Sequence, residues 1–252
     1  IGKTLLEIIS RDKKKFKIIL LTAKTNYREV LKQANKFNVK NIIITDKKYY
    51  KIAKTKSLNQ NIKIFNSFND FNKIFKTKID YVMSSIVGLD GLNPTIKIIK
   101  YTKKIAIANK ETIICAWDLI SKQLNKYKTK FIPVDSEHFS IWYALKNNNF
   151  TSIDKVYLTA SGGSLLNIPM HQIGKINLKR ILKHPNWEMG KKITIDSSTL
   201  MNKVFEIIEA KKIFNLDYNK LEIAIHPQSY IHAIIKFTDG MIKIIAHDTT
   251  ME

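Results

Sequence analysis

From Thr4 to Asn125 the chain alternates short β-branched runs with amphipathic stretches, and few folds accept that rhythm. The period-2 runs predict strands over Lys15–Thr22, Asn41–Thr45, Ile62–Phe65, Tyr81–Val87 and Ile105–Ala108. The 3.6-period runs predict helices over Thr4–Ser10, Tyr27–Phe37, Tyr49–Lys54, Phe68–Phe75, Pro94–Tyr101 and Glu111–Asn125. Strands that alternate with helices build βαβ units, and such units stack into a mostly parallel, doubly wound sheet. These sheets bind ligands beyond the carboxyl ends of their strands. A dinucleotide-binding sheet opens on a strand and a glycine-rich turn. Here Ile1-Gly2 runs directly into a helix, so the chain is expected to start inside that turn. It stops at Glu252, just after a strand expected over Met241–Ala246. Both ends read as truncated.

The texture changes near Phe131. Strand signals continue at Phe131–Val134, Val156–Ala160 and Glu222–Ile225, but a long polar stretch, Ser161–Ser198, lies between them with one short helix near Leu178–Leu182. Loops of that length are usually lids or binding loops. The expected organisation is a dinucleotide-binding domain over residues 1–130 and an α/β catalytic domain over 131–252, with a flap at about 162–192.

Bulk properties exclude several classes. The 252 residues are 44% hydrophobic and 25% charged, as in ordinary globular proteins. No apolar run is long enough to cross a membrane, and no secretory signal precedes Thr4. Cys115, the single cysteine, stands in an apolar stretch and excludes an internal disulfide, which fits a reducing cytosol. The net charge of +22 invites a nucleic-acid reading. Yet only Arg11, Arg28 and Arg180 are arginines among 43 basic residues. Arginine supplies the planar, bidentate contacts that base recognition favours, so a solvated lysine surface explains the charge better.

Five segments carry candidate chemistry. The strand at Phe131–Val134 delivers Asp135-Ser136-Glu137. In extended backbone, residues two apart point the same way, so both carboxylates would aim at one point. Carboxylate oxygens suit Mg²⁺ or Mn²⁺. An N-cap at Asp135 or Ser136 explains the same residues as well. A helix starting near Ser198 would put Asn202, Lys203 and Glu206 on one face, with Ser197 near its start and a core side at Val204, Ile207 and Ile208. Glu206 would complete a three-carboxylate site. Ser161-Gly162-Gly163 follows a strand and permits close approach to an anion, or makes a tight turn. His184-Pro185-Asn186-Trp187 sets an aromatic in a polar loop, as a lid or an anchor. Asn109-Lys110-Glu111 stands between strand and helix on the binding edge, as a ligand contact or a cap.

Together these segments resemble the 1-deoxy-D-xylulose 5-phosphate reductoisomerases. The matching runs are Ile107–Glu111, Pro133–His138, Leu158–Gly163, His184–Trp187, Met189–Ser197, Met201–Lys203 with Glu206, and Ile225–Ser229, in order and at family spacing. The resemblance implies NADPH-dependent isomerisation and reduction of 1-deoxy-D-xylulose 5-phosphate to 2-C-methyl-D-erythritol 4-phosphate. It implies Mg²⁺ or Mn²⁺ on Asp135, Glu137 and Glu206. The phosphate would rest on Ser161, Ser197, Asn202 and Lys203. Lys110, Ser136, Glu137, Glu206 and His184 would face the reacting part of the substrate, under Trp187. NADPH would lie against Ile1, Asn26, Asn109, Glu111 and Gly190. A homodimer follows by resemblance, in the bacterial cytoplasm or, since a transit peptide would precede Ile1, a plastid-type organelle. Neither a nucleic acid nor a membrane is an expected partner.

The chain departs from the family at Ala23-Lys24-Thr25-Asn26, where glycine often replaces Lys24 and a basic residue Thr25. The family's C-terminal helical domain is not expected within these 252 residues. Two other classes stand beside this reading. One is a basic nucleic-acid-binding protein, marked by steep salt dependence and no NADPH binding. The other is a catalytically silent sugar-phosphate-binding relative.

Overall fold

The computed structural model describes residues 1–57, 61–146, 152–183 and 190–248. Two compact units emerge: Ile1–Ile105 with Ser121–Phe131, and Ala106–Ile120 with Ile132–Glu252. Ala106–Ile120 thus groups with the later residues, so the division is not a single cut in chain order.

The first unit contains helix α1 (Gly2–Arg11), β1 (Leu20–Ala23), α2 (Tyr27–Phe37), β2 (Asn41–Ile44), α3 (Lys47–Lys56) and β3 (Lys63–Phe65). It continues with α4 (Phe71–Ile74), β4 (Ile79–Ser84) and α5 (Leu92–Ile98). Then β5 (Thr102–Ile107), α6 (Lys110–Lys126) and β6 (Lys130–Pro133) carry the chain toward the second unit. Asn26 ends the β1 turn by accepting a hydrogen bond from the Glu29 amide at 3.4 Å, which caps α2. The helix turns Val30, Leu31 and Ala34 inward against Ile42 and Ile44. Ile42, Ile43 and Ile44 are all fully buried, as expected of a strand covered on both faces. β1, β2 and β3 pair in parallel.

The class is the α/β fold expected, but the sheet comes in two parts, β1-β2-β3 and β4-β5-β6. In the doubly wound order the opening strand lies centrally and joins the two wings. Here α1 precedes β1, and the described strands pair as two separate sheets. β1 also starts later than expected: Lys13–Lys15 form a 3-10 turn.

The second unit is built on a mixed sheet of order β10-β9-β7-β8, from β7 (Ile153–Ala160), β8 (Leu221–Ile225), β9 (Ile231–Phe237) and β10 (Ile242–Ala246). Val156 and Leu158 of β7, with Ala233, Ile235 and Phe237 of β9, form one apolar face. Helices α7 (Ser136–Ala144) and α11 (Met201–Phe214) cover it with Ile141, Ala144, Ala210 and Phe214. Strand β9 is an addition to the expected elements, although Ile231–Phe237 carries a clear inward pattern at His232, Ala233, Ile235 and Phe237.

The stretch Ser161–Ser198 is more helical than expected. It holds α8 (Met170–Ile173), α9 (Leu178–Ile181) and α10 (Lys191–Ser198). The β-branched run Ile193-Thr194-Ile195 hid α10. An i,i+4 pair between Lys192 and Asp196 at 2.9 Å supports that helix. His184 and Trp187 lie outside the described residues.

Candidate metal and phosphate centre

The centre starts where β6 ends. Asp135 is the N-cap of α7, its Oδ1 accepting from the amides of Glu137 at 3.2 Å and His138 at 3.5 Å. The extended two-residue spacing therefore does not bring the carboxylates together: the backbone already turns into helix at Ser136. The cap does it instead, fixing Asp135 across the first turn from Glu137. Capping and convergence hold at once, and the two sequence readings were not exclusive.

α11 supplies the third carboxylate, and it is built inside out. Lys203 is 5% exposed, Glu206 2% and Glu209 1%, while Val204 is 46% exposed. The core side expected at Val204 is thus corrected: the helix keeps Ile207 against the core and turns its charged stripe inward. The helix also starts at Met201 rather than Ser198, after a left-handed Leu200 (φ 61°). Burying unpaired charge is expensive, so this stripe exists only with partners. One oxygen each from Asp135, Glu137 and Glu206 lies within 4.8 Å of the others. Three hard oxygen donors at that spacing fit Mg²⁺ or Mn²⁺.

Two lysines now occupy these oxygens. Lys203 Nζ pairs with Glu137 Oε1 at 2.7 Å and with Glu206 Oε2. Lys110 Nζ pairs with Asp135 Oδ2, lies 3.4 Å from Glu206 Oε1 and 3.3 Å from Glu209 Oε2. Asn202 donates to Glu206 Oε1, and Ser136 Oγ to Glu137 Oε2 at 2.5 Å. Burial raises the Glu206 carboxyl, and nearby Glu137 and Asp135 add to the rise, against Lys203 and Lys110; it reaches about 7. Burial alone would lower the Lys110 and Lys203 ammonium groups, but the carboxylates around them outweigh it and raise both. Burial would likewise raise Asp135, yet Lys110 and His138 hold it well below the usual carboxylate range.

The opposite wall of the pocket, where the sequence reading expects the phosphate, is built from backbone. β7 ends in Ser161, then Gly162 (φ 86°) and Gly163 (φ 68°), both in the left-handed region. A Cβ on Gly163 would stand 2.5 Å from the carbonyl oxygen of Ser197 at the end of α10. Glycine is therefore required for the loop to approach that helix end. Ser161 and Ser197 come with Asn202, Lys203, Lys110, Ser136 and Glu206 around one pocket of about 240 Å³.

The expected cofactor residues sit elsewhere. Asn109 caps α6, its Oδ1 accepting from Thr112 N at 2.8 Å, and Glu111 lies 3.7 Å from Lys192. Gly190 is the N-cap of α10, its carbonyl accepting from Thr194 Oγ1 at 3.1 Å. In the first unit, Ile1 precedes α1 and Asn26 caps α2, with Lys24 at the end of β1 pairing with Asp90 at 2.8 Å. None of these five expected contacts lines the 240 Å³ pocket.

Three residues escaped the sequence reading. His138 is fully buried, with Nε2 2.8 Å from the Glu206 carbonyl, which can only accept. Burial lowers its imidazolium, but Asp135 and Glu209 more than compensate, to about 9. Glu209 follows Glu206 by one turn, a spacing visible in the sequence. His232 lines the pocket from β9 and was lost with that strand.

Fold and site thus define an α/β protein with a carboxylate–lysine centre in one pocket with a glycine-built loop. Residues 1–117 match the model of the family 1-deoxy-D-xylulose 5-phosphate reductoisomerase, and residues 131–214 match that of its C-terminal domain. The reductoisomerase of Pelagibacter ubique is 59% identical across the whole chain, and that of Clostridium kluyveri 40%. The chain spans 65% of the first and 66% of the second. A solved reductoisomerase in complex with NADPH, fosmidomycin and magnesium superposes with a TM-score of 0.87 at 32% identity, over 97% of this chain and 63% of that one. The Zymomonas mobilis enzyme with NADPH gives 0.87 at 30% identity, over 98% and 64%. The chain belongs to the 1-deoxy-D-xylulose 5-phosphate reductoisomerase family.

Proposed function

We propose that the full-length protein converts 1-deoxy-D-xylulose 5-phosphate to 2-C-methyl-D-erythritol 4-phosphate, using NADPH and Mg²⁺ or Mn²⁺. The observation that carries this is the buried stripe on α11: a helix that exposes Val204 and buries Lys203, Glu206 and Glu209 is shaped for charged ligands, not for stability. The relatives supply the substrate class, and the solved relatives hold NADPH and magnesium.

Asp135, Glu137 and Glu206 would hold the metal, whose chemistry is Lewis-acid polarisation of the substrate oxygens. NADPH supplies the hydride. Lys203 and Asn202, with Ser161 and Ser197, hold the phosphate, and this remote grip positions the reacting carbons. Ser136 and Lys110 face those carbons from the start of α7 and α6. By the family resemblance, His184 and Trp187, which lie outside the described residues, would serve as the cover that keeps water off the reaction. Asn109, Glu111, Gly190, Ile1 and Asn26 are the residues that would meet NADPH. Lys24, 70% exposed on its side chain and paired with the exposed Asp90, can exchange that partner for the 2′-phosphate.

A homodimer fits the exposed Ile223, Ile225, Ile242 and Ile244 on β8 and β10, and sedimentation of the full-length protein tests it against a monomer. The bacterial relatives support a cytoplasmic setting. No helix among the described residues is long and apolar enough to cross a membrane.

The test is NADPH oxidation by the full-length protein. It is expected to need both the sugar phosphate and a divalent metal, and to stop in EDTA. Equal rates with and without EDTA would remove the metal from the reaction.

A further inference from the structure

Glu209 has no part in the chemistry described so far. It is 1% exposed, and an ionised carboxylate at such a site requires a compensating charge. Its nearest cation is Lys110, at 3.3 Å, with His138 Nδ1 next at 3.9 Å. Lys110 is the residue that also touches Asp135 and Glu206, two of the three proposed metal ligands. A divalent cation on those carboxylates would weaken their hold on the ammonium group, because like charges a few ångströms apart in a buried site repel. When Asp135 and Glu206 turn to a cation, Lys110 needs another anion close by. Glu209 already lies within reach, one helical turn beyond Glu206.

We propose that Glu209 is a positioning residue for Lys110, keeping its ammonium beside the metal centre and aimed at the reacting end of the substrate once Asp135 and Glu206 are taken by the metal. The inference rests on the metal and Lys110 readings above. His138 fits the same arrangement. Its Nε2–H donates to the Glu206 carbonyl, and its Nδ1 faces Asp135 at 3.2 Å and Glu209 at 3.9 Å. The ring thus stands between the Glu206 backbone and the two acids. The rival is that Glu209 itself ligates metal, since oxygens of Asp135 and Glu209 and a His138 nitrogen also lie within 4.8 Å of one another. Lys110 stands at both candidate sites, so binding and kinetics must separate them.

The two ideas separate in the full-length enzyme when Mn²⁺ affinity and kinetics are measured together. For Glu209→Gln we expect Mn²⁺ binding within about threefold of wild type. We expect kcat to fall roughly 10- to 100-fold, the usual effect of losing an outer partner, with KM for the sugar phosphate little changed. Lys110→Met should lose at least as much, and the double variant no more than Lys110→Met alone, because both changes remove one unit. Multiplying losses in the double variant, or wild-type kcat in Glu209→Gln, would overturn the proposal. So would a loss of Mn²⁺ affinity matching that of Glu206→Gln. Glu209→Asp keeps the buried charge, and its kcat is expected between the two; it decides the matter if the glutamine variant does not fold, with wild-type kcat counting against us. If wild-type protein binds no Mn²⁺, the metal reading falls first and separately.

Discussion

Glu206→Gln in the full-length protein is expected to reduce kcat by more than the ~10- to 100-fold that follows loss of an outer partner of a metal. Glu206 is where both halves of the centre meet: its two oxygens face Lys110, Lys203 and Asn202, and it shares a 4.8 Å cluster with Asp135 and Glu137. The amide keeps the volume and one acceptor oxygen, but not the charge. The fold should survive, because α11 is anchored through Ala210 and Phe214 in the apolar core and through the Glu206 carbonyl to His138, none of which changes. Steady-state kinetics and a thermal melt on the same sample check both halves of the statement. Wild-type kcat would remove Glu206 from the reaction.

The second large effect is expected at a residue with no side chain. Gly163→Ala forces a left-handed backbone (φ 68°) on a residue with a Cβ and drives that atom to 2.5 Å from the Ser197 carbonyl. The backbone conformation alone costs about 1–3 kcal/mol. The clash is with main chain, which cannot rotate away, so Ser161 or Ser197 must shift. KM for the sugar phosphate should rise ~10-fold or more, since 1.4 kcal/mol is a factor of ten. Gly240→Ala is the control: its φ is 87°, but a Cβ there meets nothing within 4 Å. It should lower stability without raising KM. Equal KM values in the two variants would show that the Gly163 contact does not shape the phosphate pocket.

These two residues illustrate what the sequence made legible. The α/β class was readable because βα periodicity is local: each strand and helix carries its own pattern, and Tyr27–Phe37 is a helix over its predicted span. Asn202, Lys203 and Glu206 on one helical face followed from i,i+3 and i,i+4 spacing alone. What was not readable depends on packing. Nothing in Met201–Phe214 says that Val204 faces solvent and Glu209 the interior, because that orientation is set by Lys110 and His138 reaching α11 from distant segments. α10 was hidden because β-branched Ile193-Thr194-Ile195 favours strand locally, and its helical state is a tertiary outcome. β9 was missed although its alternation was present, and His232 went with it. Of the two local readings of Asp135 and Glu137, the helix cap and not the extended strand brings them together.

Direct Mn²⁺ binding to the chelator-treated, full-length protein, followed by electron paramagnetic resonance, tests the centre itself without depending on turnover. We expect one Mn²⁺ per chain, bound in wild type and lost when Asp135→Asn, Glu137→Gln and Glu206→Gln are combined. Absence of Mn²⁺ binding in wild type, or Mn²⁺ binding that persists unchanged in the triple variant, would contradict a metal centre at these three carboxylates.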